Sequence, residues 1–439
     1  MQYRIRIQPQ GFHGRCQTLL AHIQKANLSG VVLFDATNIL YFTGFAFIPT
    51  ERPIAFVMNA DGRTAMFVPR LEVEHVKTAT DVDRVSHYRE YPGDPHPMNI
   101  FKTLLDEMGL IPKQTRPSGS PQEDELKQVW QKTSALTDCL EDERQRPLLK
   151  ISNARIGADQ DGYPPIFGYQ GPTLTELTGM TVVNIQGQVN QMQAIKSEAE
   201  LALIRESCKW AHLAHMLLQR YTAVGATETA VSLQASNEAT LTMMDSIGPL
   251  YRAQSLWSNG PNAGYRGQIG RNAAIPHALA NNITFQPGDV LVTGAGCPMW
   301  GYNSELERTM FMGEPNARQI EMFSHMKNAQ EIALEMMQPG VKCSDVDTAV
   351  RAYYQKHNLM PTWKHHTGHA IGLRYHEGPF LDTGDDTIMQ PGMVFTIEPG
   401  FYTPDLGGFR HSDTVAITAN GSKIMTYYPR EWQDLVIPV

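Results

Sequence analysis

One segment near the end of the chain restricts the possible folds more than any other, because it places an acid inside an apolar strand. The segment reads VFTIEPGFY, and its acid is Glu398. A charged carboxylate in the middle of a buried strand needs a partner that neutralises it. The segment therefore predicts that Glu398 either belongs to a functional site or pairs with a nearby arginine or histidine.

A pair of acids lies in a second segment, GDVLVTGAGCPMWGYNSELERTMFMG, which reads as a strand, a glycine-rich turn and another strand. Glu305 and Glu307 are two residues apart, so they lie on one face of the second strand. An exposed strand face, with the acids paired to Arg308 or Arg252, would explain them equally well. The two acids alone leave both interpretations open.

Histidines occur in other β-rich segments of the same half. The candidates are His277 in NAAIPHA, His365, His366, His369 and His376 in WKHHTGHAIGLRYHEGP, and, more weakly, Arg410 and His411 in GGFRHSDTV. Acids and imidazoles on several β-segments are typical of either a metal cluster or a metal-free acid/base site. Simple surface exposure would explain some of the histidines, His366 first.

The composition excludes several classes of function. A net charge of -8 without a long basic run argues against a nucleic-acid-binding surface. No apolar run reaches the roughly 18 residues that a membrane helix needs, and the first residues lack a signal-peptide pattern. The five cysteines are scattered without CxxC spacing, which favours a reducing compartment. We expect a cytoplasmic protein with no membrane or nucleic-acid partner.

The length of 439 residues favours two domains. Strand and helix patterns alternate to about residue 112, with a hairpin around Asp-Gly in IAFVMNADGRTAMFVP. Residues 113–180 are the least regular, with a loop in PKQTRPSGSPQEDE and a helix over LTDCLEDERQRPLLK. Amphipathic helices follow over residues 192–244, and β-rich segments dominate after about residue 255, with a helix pair at 314–358.

In these segments the sequence resembles the creatinase, prolidase and methionine-aminopeptidase family, which has the pita-bread fold. FDATNILYFTGF and ERPIAFVMNADG are similar to its N-terminal domain. NAAIPH, PGDVLV, GYNSELERT, TGHAIGLRYHEGP, PGMVFTIEPGFY and GGFRHSDTV are similar to its catalytic motifs, in family order. The resemblance covers nearly the whole chain. It implies an α+β protein: a mixed α/β domain over 1–188, then a curved antiparallel sheet covered by helices over 189–439.

The resemblance also implies an altered metal site. Aminopeptidases of the family bind two metal ions through five ligands, and those positions carry here Gly294, Glu305, His369, Glu398 and Ser412. Two ligands are lost, since glycine and a serine hydroxyl cannot neutralise a pair of divalent cations. The active-site pattern is closer to that of creatinase, the metal-free member, so we expect no cofactor.

The likeness to creatinase assigns roles to individual residues. Glu307, in ELERT, falls on the glutamate that holds the guanidinium group, and Glu398 falls on a second substrate-holding glutamate. His277 falls on the catalytic histidine. Arg52 falls on an arginine that reaches from the partner subunit to the substrate carboxylate, which implies a homodimer whose site the partner's N-terminal domain completes.

Two departures make creatine itself an unexpected substrate. Asn303 replaces an aromatic hydroxyl of creatinase, and a second carboxylate-binding arginine beyond His376 has no counterpart. His365 resembles instead an extra histidine of the metal-dependent peptidases. The resemblance therefore implies a related small molecule with a cationic head and an anionic tail.

Our primary prediction is a metal-independent hydrolase that cleaves a C–N bond in a small amidine or guanidine carboxylate. His277 would act as general base and acid, with Glu307 and Glu398 holding the cationic group. The full predicted set is His277, Glu307, Glu398 and His376 as catalytic residues, and Arg52, His369, His365, Asn303 and Glu305 as substrate-binding residues.

Two other hypotheses remain open. In the alternative, a single divalent metal at Glu305, His369 and Glu398 serves a prolidase-like Xaa-Pro peptidase or a lyase of the same family. In the third hypothesis, the chain is a binding protein that keeps the fold without the chemistry.

Overall fold

The computed structural model describes residues 5–112 and 154–439, and these residues form two compact units. The N-terminal unit comprises Phe12–Phe45 and Pro49–Gln186. The C-terminal unit comprises Gly187–Val439, together with residues 5–11 and Ala46–Ile48. The units separate two residues before the predicted boundary at 188/189. The helix predicted over LTDCLEDERQRPLLK, and nearly all of the preceding predicted loop, lie outside the described residues.

The N-terminal unit is built on a six-stranded mixed sheet. In sheet order its strands are β4 (Arg84–Tyr88), β3 (Thr64–Pro69), β2 (Ala55–Asn59), β1 (Gly30–Leu33), β5 (Arg155–Ala158) and β6 (Thr181–Asn184). The pairings β1–β2 and β2–β3 are antiparallel, and the other three are parallel. The helices are α1 (Pro9–Lys25), α2 (Ala36–Thr43), α3 (Val73–Ala79), α4 (Pro97–Glu107) and α5 (Leu174–Thr178).

Local sequence explains the turn between β2 and β3. Gly62 adopts a φ of 86°, which a glycine tolerates without a side-chain clash. The Asn59 side chain accepts hydrogen bonds from the backbone N–H groups of Asp61 and Arg63, at 3.1 and 2.9 Å. The predicted hairpin is confirmed. The irregular region predicted to extend to residue 180 is wrong for its last part, because β5 is a short, largely buried strand there.

The C-terminal unit contains a larger, antiparallel sheet of eight strands. In sheet order they are β13 (Glu377–Leu381), β12 (Gly368–Ala370), β14 (Val394–Ile397), β17 (Ser412–Thr418), β10 (Leu306–Glu307), β9 (Gly294–Gly296) and β7 (Asn262–Gly264), with β18 (Gly421–Ile424) paired to β17. Every pairing in it is antiparallel.

Two smaller sheets and five helices complete this unit. The sheets are β19 (Val436–Ile437), β11 (Thr309–Met312) and β8 (Val290–Val292), and β15 (Gly400–Thr403) with β16 (Gly407–Arg410). The helices are α6 (Gln186–Ala194), α7 (Glu198–Tyr221), α8 (Glu228–Ile247), α9 (Ala317–Met336) and α10 (Cys343–Lys356). Helices α9 and α10 are the predicted pair. Among the described residues, no helix has both the length and the apolar character needed to cross a membrane.

Helix α7 shows how the sequence sets these elements. Ser197 caps its N-terminus by accepting from the Glu200 backbone N–H, while the Glu200 carboxylate accepts from the Ser197 backbone N–H. Its buried residues recur at intervals of three and four, including Leu201, Ile204 and Cys208. Packing of this face onto α8, β7 and β9 fixes one side of the sheet that carries the candidate site.

Candidate active site

Three side chains converge where neighbouring strands of the eight-stranded sheet end or bend. Glu305 directly precedes β10, His369 lies in β12, and Glu398 directly follows β14. One ligand atom from each residue can be chosen so that all three lie within 4.8 Å of one another. We call these three residues the acidic trio. Two oxygen donors and one imidazole nitrogen at this spacing suit a divalent metal ion.

His369 is oriented by its backbone surroundings. Its Nδ1–H donates to the carbonyl of Ala370 at 3.0 Å, which leaves Nε2 directed towards Glu398 Oε1, 3.0 Å away. Nε2 is buried and, among the described residues, has no hydrogen-bond partner in a favourable direction. A buried ring nitrogen that faces a carboxylate in this way fits a metal ligand, which gives up its proton when a cation binds. The register of β12 also shifts after His369, an irregularity common beside active sites.

The charges of the acidic trio depend on one another. Burial and the nearby charges of Glu398 and Glu307 raise the pKa of Glu305 to about 7. Burial alone would lower the pKa of His369, but the Glu398 carboxylate 3.0 Å away, and then the charge of Glu305, raise it to about 9. Burial would likewise raise the pKa of Glu398, yet His369 and Arg410 lower it overall. Without an added cation, the two acids therefore rely on an imidazolium.

Glu307 is already neutralised by arginine side chains. Arg410 binds both of its carboxylate oxygens, through Nε to Oε2 and through Nη2 to Oε1 at 2.8 Å. Arg266 Nη2 also donates to Oε1 at 2.9 Å. A cationic substrate group would have to displace these arginines from a buried carboxylate. The predicted role of Glu307 in holding an amidine or guanidine is therefore wrong.

The positions of the two lost metal ligands support one ion rather than two. A Cβ atom added to Gly294 would lie 3.5 Å from Glu307 Oε1 and 4.0 Å from Arg266 Nε, so a salt bridge borders this position. The Ser412 hydroxyl donates to Glu305 Oε1 at 2.7 Å. It orients a member of the acidic trio but adds no carboxylate. The described residues around the acidic trio thus fit a single divalent ion and do not fit a pair.

His365 is linked to the acidic trio through a tyrosine and an arginine. Its Nδ1–H donates to the His366 carbonyl at 2.8 Å, so Nε2 accepts from the Tyr402 hydroxyl, also at 2.8 Å. The Tyr402 oxygen in turn accepts from Arg410 Nη1 at 3.0 Å. Burial lowers the pKa of His365, which keeps it neutral. His365 therefore helps to position Arg410, whose Nε lies 3.8 Å from Glu398 Oε2.

Two exposed histidines, His376 and His277, lie near each other, and His376 contacts the acidic trio. The ring of His376 stacks on that of His369, with centroids 3.7 Å apart and planes at 21°. Partial desolvation, followed by the charge of His369, lowers the pKa of His376 to about 4, so it is neutral at neutral pH. His277 lies in a turn after the short helix Gly270–Ala274, and its charge also acts on His376. The His376 ring therefore faces solvent beside the acidic trio, and His277 is an exposed residue near His376.

The remaining predicted residues make contacts within their own units. Asn303 is buried, and its Nδ2 donates to the carbonyls of Gly301 and Gly372 at 3.0 and 3.1 Å, which ties two backbone segments together. Arg52 lies in the N-terminal unit, where Nε and Nη2 contact both oxygens of Glu90 at 2.7 and 3.2 Å. Substrate contact by either residue, and the homodimer, stay predictions.

Two residues of the site, Arg266 and Tyr402, are absent from the set predicted from the sequence. Arg266 lies on a turn after β7, far in sequence from the acids, and its importance depends on its contact with Glu307. Residue types alone give no signal for Arg266, because Arg410 and His369 already supply positive charge to the buried acids. Tyr402 lies within the VFTIEPGFY segment and shows its role only through Arg410 and His365.

The sequence of the chain matches two known protein families and several known proteins. Residues 202–419 match Metallopeptidase family M24, and residues 15–114 match the Creatinase/Prolidase N-terminal domain. An Xaa-Pro dipeptidase of Pyrococcus horikoshii is 33% identical over 243 residues, which cover 55% of this chain and 65% of that protein. An Xaa-Pro dipeptidase of Pyrococcus furiosus is 32% identical over 247 residues, which cover 56% of this chain and 67% of that protein. The matched segment thus spans about two thirds of either relative.

Solved structures extend the likeness to both units. Dipeptidase PepE from Mycobacterium ulcerans superposes with a TM-score of 0.75 at 23% identity, covering 99% of this chain and 100% of that chain. The prolidase from Pyrococcus horikoshii OT3 gives a TM-score of 0.70 at 23% identity, with 95% and 99% covered. At this level of identity the structures establish the fold. The predicted order, a mixed α/β domain followed by a pita-bread domain, is confirmed.

The same comparisons contradict the primary prediction from the sequence. A metal-independent hydrolase without a cofactor does not agree with a match to a metallopeptidase family or with relatives named Xaa-Pro dipeptidase. The error came from Gly294 and Ser412. Their missing carboxylates remove the ligands for a pair of ions, but the three donors of the acidic trio remain for one ion.

Proposed function

Because the chain belongs to the creatinase/prolidase family of pita-bread proteins, we propose that it is a metal-dependent peptidase that hydrolyses Xaa-Pro dipeptides. The observation that carries this proposal is the convergence of ligand atoms from Glu305, His369 and Glu398 within 4.8 Å. The names of the two Pyrococcus relatives support the choice of a peptide bond before proline.

The acidic trio would hold one divalent ion, of which zinc, manganese and iron suit its oxygen and imidazole donors. When bound, such an ion polarises a carbonyl and makes water more acidic. The hydrogen bond from Ser412 holds Glu305 in place, and the bond to Ala370 fixes the tautomer of His369. These two hydrogen bonds would orient the metal-binding atoms of Glu305 and His369 before substrate binds.

Hydrolysis of the peptide bond adds water to the carbonyl carbon, breaks the C–N bond and transfers a proton to the leaving nitrogen. His376 is exposed and stacks on His369, and His277 is exposed and close enough to act on His376, so we assign this proton transfer to these two imidazoles. His376 is neutral at neutral pH, so it can hydrogen-bond to substrate as donor or acceptor.

Arg410 would act as a positioning residue. It is buried, binds Glu307 through two donors and contacts Tyr402 through a third, so its place is fixed. After His369, its charge is the next cause that lowers the pKa of Glu398 and keeps that carboxylate ionised and able to bind a cation. Removing Arg410 would therefore weaken the site without removing any donor atom.

A panel of small substrates tests the proposal. With manganese added, the protein should hydrolyse alanyl-proline, should act much more slowly on alanyl-alanine, and should leave creatine intact. Amino-acid release measured by chromatography distinguishes these cases. Failure to release proline from any Xaa-Pro dipeptide, with zinc, manganese or iron supplied, would remove the proposal.

A further inference from the structure

Arg266 lies over Glu307 on a backbone turn that is held in an unusual conformation. Its φ is 50°, a region that residues other than glycine rarely adopt and that is enriched at functional sites. The next residue, Gly267, has a φ of 76° and donates its N–H to the buried carboxylate of Glu228 at 2.7 Å. The hydrogen bond to Glu228 therefore fixes the backbone of the turn, and with it the position of Arg266.

Only one corner of the Arg266 guanidinium is occupied. Nη2 donates to Glu307 Oε1 at 2.9 Å and to Gln268 Oε1 at 3.2 Å, and Gln268 is itself buried and bound to the carbonyl of Ile275. Within the part of the chain that the structure describes, Nε and Nη1 make no hydrogen bond. The side chain is 49% exposed. Two nitrogens of the guanidinium, which carry three N–H groups, are thus left available to solvent.

The charge balance around Glu307 leaves Arg266 in excess. Arg410 is buried and already neutralises the Glu307 carboxylate through two contacts. A second guanidinium on the same carboxylate adds positive charge that the carboxylate cannot match. Gly294 places no side chain against the Nε edge, whereas a Cβ atom at that position would lie 4.0 Å from Nε, at van der Waals distance. This open, positive edge suits an anionic group.

We propose that Arg266 binds the free carboxylate of the substrate beside the acidic trio. Arg410 connects Arg266 with the acidic trio. It contacts Glu307, which Arg266 also binds, and its Nε lies 3.8 Å from Glu398 Oε2. A guanidinium fork binds a carboxylate with directed, charge-assisted hydrogen bonds. The inference rests on the proposed function and deepens it: the substrates are short peptide acids, and peptide amides are poor substrates.

Kinetics with an acid and its amide test this preference. The wild-type protein should have a kcat/KM for alanyl-proline about ten- to a hundredfold above that for alanyl-prolinamide, as expected for a charge-assisted contact. Arg266→Gln should lose most of this ratio through KM, and Arg266→Lys should keep part of it. Arg318→Gln is the matched control, because Arg318 is an exposed arginine on α9 that pairs with Asp405. An unchanged ratio in Arg266→Gln would overturn the inference.

A binding measurement makes the test independent of turnover. Calorimetry on chelator-treated protein should show that N-acetylproline binds more tightly than N-acetylprolinamide, and that Arg266→Gln removes the difference. Equal binding of the acid and the amide to the wild-type protein would overturn the inference, whether or not the protein hydrolyses peptides. Loss of peptide hydrolysis with the acid preference intact would overturn only the proposed function.

Discussion

Glu398 shows how opposite electrostatic effects meet at a single residue. Burial favours its neutral form, while His369 and Arg410 favour the carboxylate and prevail. The apolar strand around it predicts that such partners exist, and the sequence motifs also identify His369. The motifs do not identify Arg266, because its role arises from its positive φ and from the missing side chain at Gly294. The positive φ cannot be read from residue types, and the glycine at 294 bears on Arg266 only through the distance between the two residues in the fold.

Replacing His369 tests the metal site at the residue scale. His369→Ala removes the nitrogen donor, so we expect metal affinity to fall by more than about 100-fold, beyond the range typical for residues that only orient ligands. Metal retained after dialysis, measured by elemental analysis, reports the change. His366→Ala is the control, since His366 is a neighbouring histidine outside the acidic trio. Equal metal content in both variants would argue against this ligand.

Replacing Ser412 tests whether its hydrogen bond to Glu305 strengthens metal binding. Its hydroxyl donates to Glu305 and lowers the pKa of that acid, so Ser412→Ala should raise the pKa further. Protons then compete better with the metal, and we expect about tenfold weaker metal binding at pH 7. Because the loss comes from protonation, the deficit should shrink as the pH rises to 9 in a metal titration. A deficit that does not change with pH would contradict this explanation.

At the scale of elements, a buried ion pair joins a helix linker to the strand that follows His376. Lys196 lies between α6 and α7, and its Nζ binds Glu377, the first residue of β13. The Lys196 side chain is 1% exposed and that of Glu377 is 7% exposed. Helix and strand patterns predict the elements on both sides. They do not predict this pair, which depends on how the elements pack.

Breaking the pair should destabilise the protein. Lys196→Met leaves the Glu377 carboxylate buried without its cation, and we expect a loss of about 3–5 kcal/mol in the free energy of unfolding. Urea denaturation followed by fluorescence measures it. Adding Glu377→Gln to the variant should restore part of the loss. Lys209→Met, at an exposed position on α7, should change stability by less than about 0.5 kcal/mol. Similar losses at Lys196 and Lys209 would rule out a buried pair.

For the whole molecule, the order of motifs predicts two domains and the fold, because apolar spacing and turn residues determine elements locally. The chemistry was predicted less well. The motifs show that two metal ligands are missing, but they do not show that three donors still meet or that Arg410 and Arg266 neutralise Glu307. Those facts depend on distances between strands that are far apart in sequence.

Buried histidines predict how global stability depends on pH. Burial and the charge of Arg308 lower the pKa values of His215 and His411 well below the usual 6.5. In the unfolded chain both rings take up protons below about pH 6.5, while in the folded protein they stay neutral. Stability is therefore fully present above pH 6.5 and falls as the pH decreases. Each histidine contributes about 1.4 kcal/mol per pH unit below that point.

Urea denaturation at pH 7.5 and 5.5 measures this dependence. His215→Gln should reduce the difference in unfolding free energy between the two pH values, even if it lowers stability at both. His13→Gln, at an exposed position on α1, is the matched control and should leave the difference unchanged. An unchanged difference in His215→Gln would show that the buried ring does not cause the dependence.

A metal titration combined with an activity assay tests the central claim most directly. Chelator-treated protein should release no proline from alanyl-proline, and activity should rise linearly with added manganese up to one ion per chain and then level off. Calorimetry of the same titration should give the same stoichiometry. Full turnover without metal, or a requirement for two ions per chain, would contradict a single-ion site at Glu305, His369 and Glu398.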